Sequence, residues 1–176
     1  MFRDFYQVTD IYALKKINYD DAIEITELKK QNKKHLPFLH WIKTQEFTVI
    51  ETKRYIEAKL FNWYEGIEWT YSIMYNTKII GDFQIRITKD GCGIEIGYWI
   101  DYRYRLQNIM STIVNYIIEV ARNLNLKAVI IISDKNNIPS IKLALKLFFE
   151  QLPEINQYNN LPGLVTFIRR INEHSL

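Results

Sequence analysis

The chain has 176 residues, a mass of 21.2 kDa, 48% hydrophobic and 24% charged side chains, and a net charge of +3. A chain of this length buries about 70% of the surface its unfolded form exposes, so a single domain over 1–176 is expected and wholesale disorder is excluded. The lone Cys92 excludes a disulfide framework within the monomer and a Cys-rich zinc site, and no apolar run approaches the roughly 18 residues of a membrane-crossing helix.

Ile11 to Ile17 alternates loosely and predicts a short strand. Asn18-Tyr19-Asp20-Asp21 offers caps, and Ala22, Ile23, Ile25 and Leu28 begin a helix running to about Lys34. The Lys29-Lys30 and Lys33-Lys34 cluster reads as its solvated face. Pro37 breaks the chain, and Phe38 to Ile42 reads as a short helix or turn. Thr48 caps the next predicted helix, with Ile50, Tyr55, Ile56, Leu60, Phe61 and Trp63 on its apolar side and Gly66 as its stop.

The composition then changes. Ile67–Tyr75, Lys78–Ile87 and Gly93–Ile100 are rich in β-branched and aromatic residues, with turns at Asn76-Thr77 and Asp90-Gly91. They predict a three-stranded antiparallel meander. Gln107 to Asn123 carries Ile109, Met110, Ile113, Val114, Ile117, Val120 and Ala121 at helical spacing. Ala128 to Ile132 suits a strand buried on both faces. A helix over Ser140–Phe149 and a strand over Leu164–Arg170 complete the order. The fold class is α/β: a mixed, mostly antiparallel central sheet flanked by helices.

The most informative segment is Glu95-Ile96-Gly97-Tyr98-Trp99-Ile100, followed by Tyr104-Arg105-Leu106-Gln107-Asn108-Ile109-Met110. A strand ends, a polar turn follows and a long helix begins. The first turn of a helix presents unpaired N–H groups and the positive end of its dipole, which suits phosphate. These two runs resemble the GNAT superfamily of acetyl-CoA-dependent N-acetyltransferases. The likeness is strongest to the RimJ/RimL branch that acetylates ribosomal-protein N-termini, which reads E-I-G-Y-W, a short turn, then Y-Q-G-K-G-I-M. Asn137-Ile138-Pro139-Ser140 fits the N-x-x-S of that branch, and Leu36-Pro37-Phe38-Leu39-His40-Trp41 is a weaker match.

The resemblance implies a GNAT sheet splayed between its two central strands. It also implies acetyl-CoA as cosubstrate, and no metal. Arg105 would open the pyrophosphate loop, and Gln107, Asn108, Ile109 and Met110 would give backbone N–H groups to it. Tyr98, Trp99 and Ile100 would run beside the pantetheine arm, with Asn137 near it. Phe38 and Trp41 would lie at the acceptor groove. For catalysis, Glu95 is the candidate base, directly or through water, and equally a solvated or salt-bridged strand carboxylate. Ser140 would face the sulfur, and equally suits a helix cap.

The chain also departs from the branch. Asn108 stands where the loop has its central glycine, Phe148-Phe149 where a Gly-Phe is common, and Ala144 where many members carry a Tyr acid. Glycine lets pyrophosphate approach without a Cβ in the way. The first reading is transfer of an acetyl group to a primary amine, either a protein N-terminus or a small amine. The second is a GNAT-fold binding or regulatory module that has lost catalysis through its degenerate loop. The third is an acyltransferase using another acyl-CoA.

Further partners follow from charge and ends. The basic residues are scattered among acids, so no nucleic acid is expected. No membrane partner is expected, and a homodimer is left open. Met1-Phe2-Arg3-Asp4 carries an acid at once, so no signal peptide is expected, and the cytoplasm is the expected compartment. His35, His40 and His174 lack metal-ligand spacing.

Overall fold

β-branched and aromatic residues between 68 and 100 form three strands: β3 (Glu68–Tyr75), β4 (Lys78–Ile87) and β5 (Gly93–Ile100), close to the sequence bounds. Asn76 turns the first hairpin at φ 50° and Gly91 the second at φ 71°, positions that tolerate a left-handed backbone. The computed structural model describes residues 2–38, 47–153 and 162–171. The remaining elements are β1 (Phe5–Gln7), β2 (Tyr12–Lys16), α1 (Ala22–Asn32), α2 (Val49–Tyr64), α3 (Ile109–Asn123), β6 (Ala128–Asp134), α4 (Ile138–Lys146), β7 (Glu150–Gln151) and β8 (Leu164–Arg170). The eight strands form one mixed sheet in the order β1-β2-β3-β4-β5-β6-β8-β7.

The chain divides into two compact units, 1–85 with 98–109 and 86–97 with 110–176. β4 and β5 run through both. In unit 1, β1 pairs antiparallel with β2 (Phe5↔Lys15) and β2 with β3 (Tyr12↔Tyr75). Its core gathers Ala13, Ile17, Ile25, Leu28, Ile56, Met74 and Trp99. Thr48 and Glu51 close a capping box at the start of α2. The apolar side of α2 differs from the sequence reading. Thr52, Ile56 and Trp63 are buried, whereas Ile50 and Phe61 are exposed. Residues two apart lie about 200° apart around a helix, and polar Thr52 marks the inward stripe because its hydroxyl accepts from Thr26 Oγ1 at 2.8 Å.

Lys29 is also a correction. It is buried rather than solvated, with Nζ 3.8 Å above the Tyr55 ring. Tyr55 Oη donates to Asp82 Oδ2 (2.9 Å), and Gln84 Nε2 donates to both Tyr55 Oη (3.1 Å) and Asp82 Oδ1 (3.0 Å). Lys59 pairs with buried Glu68, which also accepts from Thr70 Oγ1 at 2.9 Å. Two cations and two carboxylates thus fasten α1 and α2 to β3 and β4. Burial lowers the Lys29 ammonium to about 8, against the pull of Asp82. Burial raises the Asp82 carboxyl, although Lys29, Tyr55 and Gln84 oppose it.

In unit 2, β5 pairs with β6 in parallel from Gly93↔Ala128 to Ile96↔Ile131. β6 stays paired antiparallel with β8 as far as Asp134↔Leu164, and β7 adds to β8. β5 itself continues to Ile100, beyond its ladder with β6. Parallel pairing needs a crossover, which α3 supplies. It buries Ile113, Val114, Ile117, Ile118 and Ala121, side chains worth about 1.5–3 kcal/mol each for the larger ones.

Candidate active site

In unit 1 the end of β5 leads into the loop before α3. Tyr98 stacks on Phe83 at 6.1 Å and 16°. Trp99 is buried in the core and Ile100 is half-buried, so these two offer mainly backbone. The backbone itself lies very close to β4, since a Cβ on Gly81 would collide with the Trp99 carbonyl oxygen and come within 3.0 Å of Ile100 Cα.

Asp101, fully buried, donates its N–H to Ile80 O (2.8 Å) and caps a 3-10 turn over Tyr102–Tyr104. Burial pushes its carboxyl up, but hydrogen bonds from Arg103 and that residue's charge hold it below the usual carboxylate range. Arg105 donates through Nη2 to His35 O at 2.5 Å. Gln107 Nε2 donates to Arg103 O at 3.0 Å. Their side chains therefore hold the loop together.

Helix α3 begins at Ile109, two residues later than the pattern predicted. The reason is backbone geometry: Leu106 lies at φ 62° and Asn108 at φ 59°, outside the helical region. The branch motif Y-Q-G-K-G-I-M has glycine at both places. Asn108 was legible as a departure; Leu106, missed by the sequence reading, aligns with the first glycine of the same motif. Its side chain is fully exposed. Ile109 and Met110 are buried, leaving their backbone for any ligand. A loop with two left-handed residues before a 15-residue helix fits an anion, because the first N–H groups of a helix have no partner within it.

In unit 2, Glu95 lies on β5 with its side chain 22% exposed and Arg86 Nη1 at 3.6 Å. Asn137 is the N-cap residue of α4 at φ −80° and ψ 68°, with no side-chain capping bond. Its carbonyl accepts from Ile141 N–H at 3.1 Å. Ser140, half-buried, is the third residue of α4, inside the first turn rather than at the N-cap. Helix α4 starts two residues before the prediction because Pro139 suits the first turn. It ends at Lys146, short of the predicted Phe149, because Phe148 takes φ 59°. Ala144 is fully buried. Of the acceptor-groove pair, Phe38 is half-buried in a turn of unit 1, and Trp41 lies outside the described residues.

A mixed sheet with β5 and β6 paired in parallel, and a left-handed loop opening α3, make an α/β fold with a candidate anion site at the start of that helix. Residues 13–150 match the acetyltransferase (GNAT) domain family model, and the chain belongs to that family. No curated protein matches the sequence. Solved structures share the fold. A RimL ribosomal L7/L12 alpha-N-protein acetyltransferase in complex with coenzyme A has a TM-score of 0.82 at 21% identity, covering 95% of this chain and 98% of that one. The microcin C7 self-immunity acetyltransferase MccE with acetyl-CoA and AMP has a TM-score of 0.82 at 21% identity, covering 93% and 94%. An acetyl transferase from Salmonella typhimurium, which modifies the N-terminal serine of ribosomal protein L7/L12, has a TM-score of 0.80 at 19% identity, covering 96% and 99%. At these identities the likeness is one of fold.

Proposed function

We propose that this GNAT-family chain is an acetyl-CoA-dependent N-acetyltransferase acting on a primary amine, with a protein N-terminus as the favoured acceptor. The observation that carries the reading is the loop before α3. Leu106 and Asn108 keep a left-handed backbone, the conformation that glycine favours, where the resembling branch has glycine. Structures of similar fold hold coenzyme A or acetyl-CoA, and two act on ribosomal L7/L12. The family match runs through both units, which supports their working as one domain.

Acetyl-CoA would supply an acetyl thioester, an acyl group on a good leaving thiolate. Backbone N–H groups of Gln107, Asn108, Ile109 and Met110 would hold its pyrophosphate, with Arg105 fixing the loop beside it. The backbone of Tyr98, Trp99 and Ile100 would align the pantetheine, with Asn137 beside it. Glu95 would hold the proton the amine gives up, directly or through water, with Arg86 orienting the carboxylate. The Ser140 hydroxyl would donate to the sulfur as it leaves. Phe38 and Trp41 would meet the acceptor.

The experiment is a two-part assay. Acetyl-CoA should raise the melting temperature, since a ligand that binds only the native state stabilises it. Thiol release should then appear with some member of a panel of amines and N-terminal peptides. No shift at millimolar acetyl-CoA would overturn the reading. A shift without release across a broad panel would favour a binding module.

A further inference from the structure

The loop that opens α3 is costly to hold. A left-handed leucine costs about 1–2 kcal/mol, and such a conformation persists only where its surroundings over-determine it. Every backbone N–H from 101 to 105 is already bonded. Asp101 donates to Ile80 O (2.8 Å), Arg103 to Asp101 Oδ1 (3.2 Å), Tyr104 to Asp101 O (2.9 Å) and Arg105 to Tyr102 O (3.3 Å). The fifth, Tyr102 N–H, donates at 2.9 Å to a side chain from elsewhere, Asn32 Oδ1 at the end of α1.

Asn32 is fully buried, and its Nδ2 donates to Leu28 O at 3.0 Å, which fixes the carboxamide. Three more ties follow the same line. Arg103 Nη2 donates to Gln31 Oε1 at 2.9 Å, Arg105 Nη2 donates to His35 O at 2.5 Å, and the His35 ring stacks on Tyr102 at 4.0 Å and 24°. Packing alone would place an apolar side chain at the Asn32 position. A buried carboxamide satisfied at both ends, one end by the loop backbone, serves the loop.

We infer that the end of α1 and the turn Lys33–His35 that follows it, through Asn32 and His35, form a strap that sets the loop at Leu106–Asn108 for its ligand, with Asn32 as a positioning residue. This rests on the reading above, in which that loop receives the pyrophosphate of acetyl-CoA. The chain leaves the strap directly through Leu36 and Pro37 to Phe38, so the same turn borders the proposed acceptor segment. Cofactor affinity then depends on α1 through the loop it ties.

Coenzyme A binding by isothermal titration and amide exchange in the ligand-free chain test this together. Asn32→Ala strands a backbone donor, a loss of the size that gives about a 10-fold rise in the coenzyme A Kd, and it should speed exchange at 106–109. Tyr102→Ala, at an exposed position, should do both more weakly, while Tyr102→Phe keeps the stack and binds as wild type. Ile25→Val, in the same helix, lowers stability alone. The strap is overturned if Asn32→Ala binds coenzyme A as well as Ile25→Val does, or if exchange at 106–109 is unchanged. Wild type that binds while the variants bind equally well removes only the strap. Wild type that does not bind removes the acetyltransferase reading, and exchange at 106–109 then decides the strap by itself.

Discussion

Leu106 spends conformational energy on a side chain that packs against nothing, since it is fully exposed at φ 62°. Glycine there would recover about 1–2 kcal/mol of left-handed strain and lose about 0.5–1 kcal/mol to its freer unfolded chain. Leu106→Gly should therefore stabilise the fold by roughly 0.5–1 kcal/mol, read as a higher urea midpoint with unchanged slope. A lower midpoint would mean that the leucine side chain is held by something. At Glu95 the question is chemical. If its carboxylate takes the proton of the amine, Glu95→Gln should lower kcat about 100-fold near pH 7. An acceptor that is an α-amine loses its proton unaided above about pH 8, so much of the deficit should vanish by pH 9–10. A parallel offset between the two pH–rate profiles would leave Glu95 a partner of Arg86 and nothing more.

Among the elements, α2 has the most explicit start. Thr48 Oγ1 accepts from Glu51 N–H (3.2 Å) and Glu51 Oε2 accepts from Thr48 N–H (3.4 Å). Thr48→Ala should cost about 1 kcal/mol, a fall of roughly 2–4 °C in Tm for a chain of this size; no change would show the box to be redundant with the packing of Ile56 and Trp63. That start was legible as a threonine before an apolar run. The meander β3 to β5 and helix α3 were legible too, because eight or more residues with a clear period leave little choice. β1 and β7 were not: three and two residues carry no period. The burial of Lys29 was hidden because a lysine in a basic run reads as solvated, and only the partners Tyr55 and Asp82, distant in sequence, make burial tolerable. The candidate site was legible where a motif carried it, at E-I-G-Y-W and the loop that follows. The Asn32 strap was not, since a contact between residues 32 and 102 leaves no local signature.

For the molecule as a whole, the buried charges of unit 1 set a pH signature. With the Lys29 ammonium at about 8 in the fold and 10.5 ordinarily, the unfolded chain binds more protons between those values, so stability from this group rises with pH across that window. Below it the fold carries the full cost of a buried ammonium, on the order of 3 kcal/mol. Wild type should gain stability relative to Lys29→Met on going from pH 7.5 to 9.5, measured by urea unfolding. A constant difference would place the Lys29 titration outside that range. The sheet, finally, ends in its two shortest strands, β1 and β7. An edge strand is a template on which another chain can extend the ladder, and shortness is one way proteins blunt it. β1 and the residues before it also cover the interior, since Phe2 lies 4.8 Å from Trp69, the Tyr6 ring lies tilted 5.9 Å from Tyr71, and Arg3 O accepts from Tyr71 Oη at 2.9 Å. Trimming the first nine residues would therefore bare five residues of β2 and the aromatic rings of β3 at once. Light scattering should then show self-association at concentrations where the full chain stays clear, so the amino-terminal residues act as a guard against aggregation.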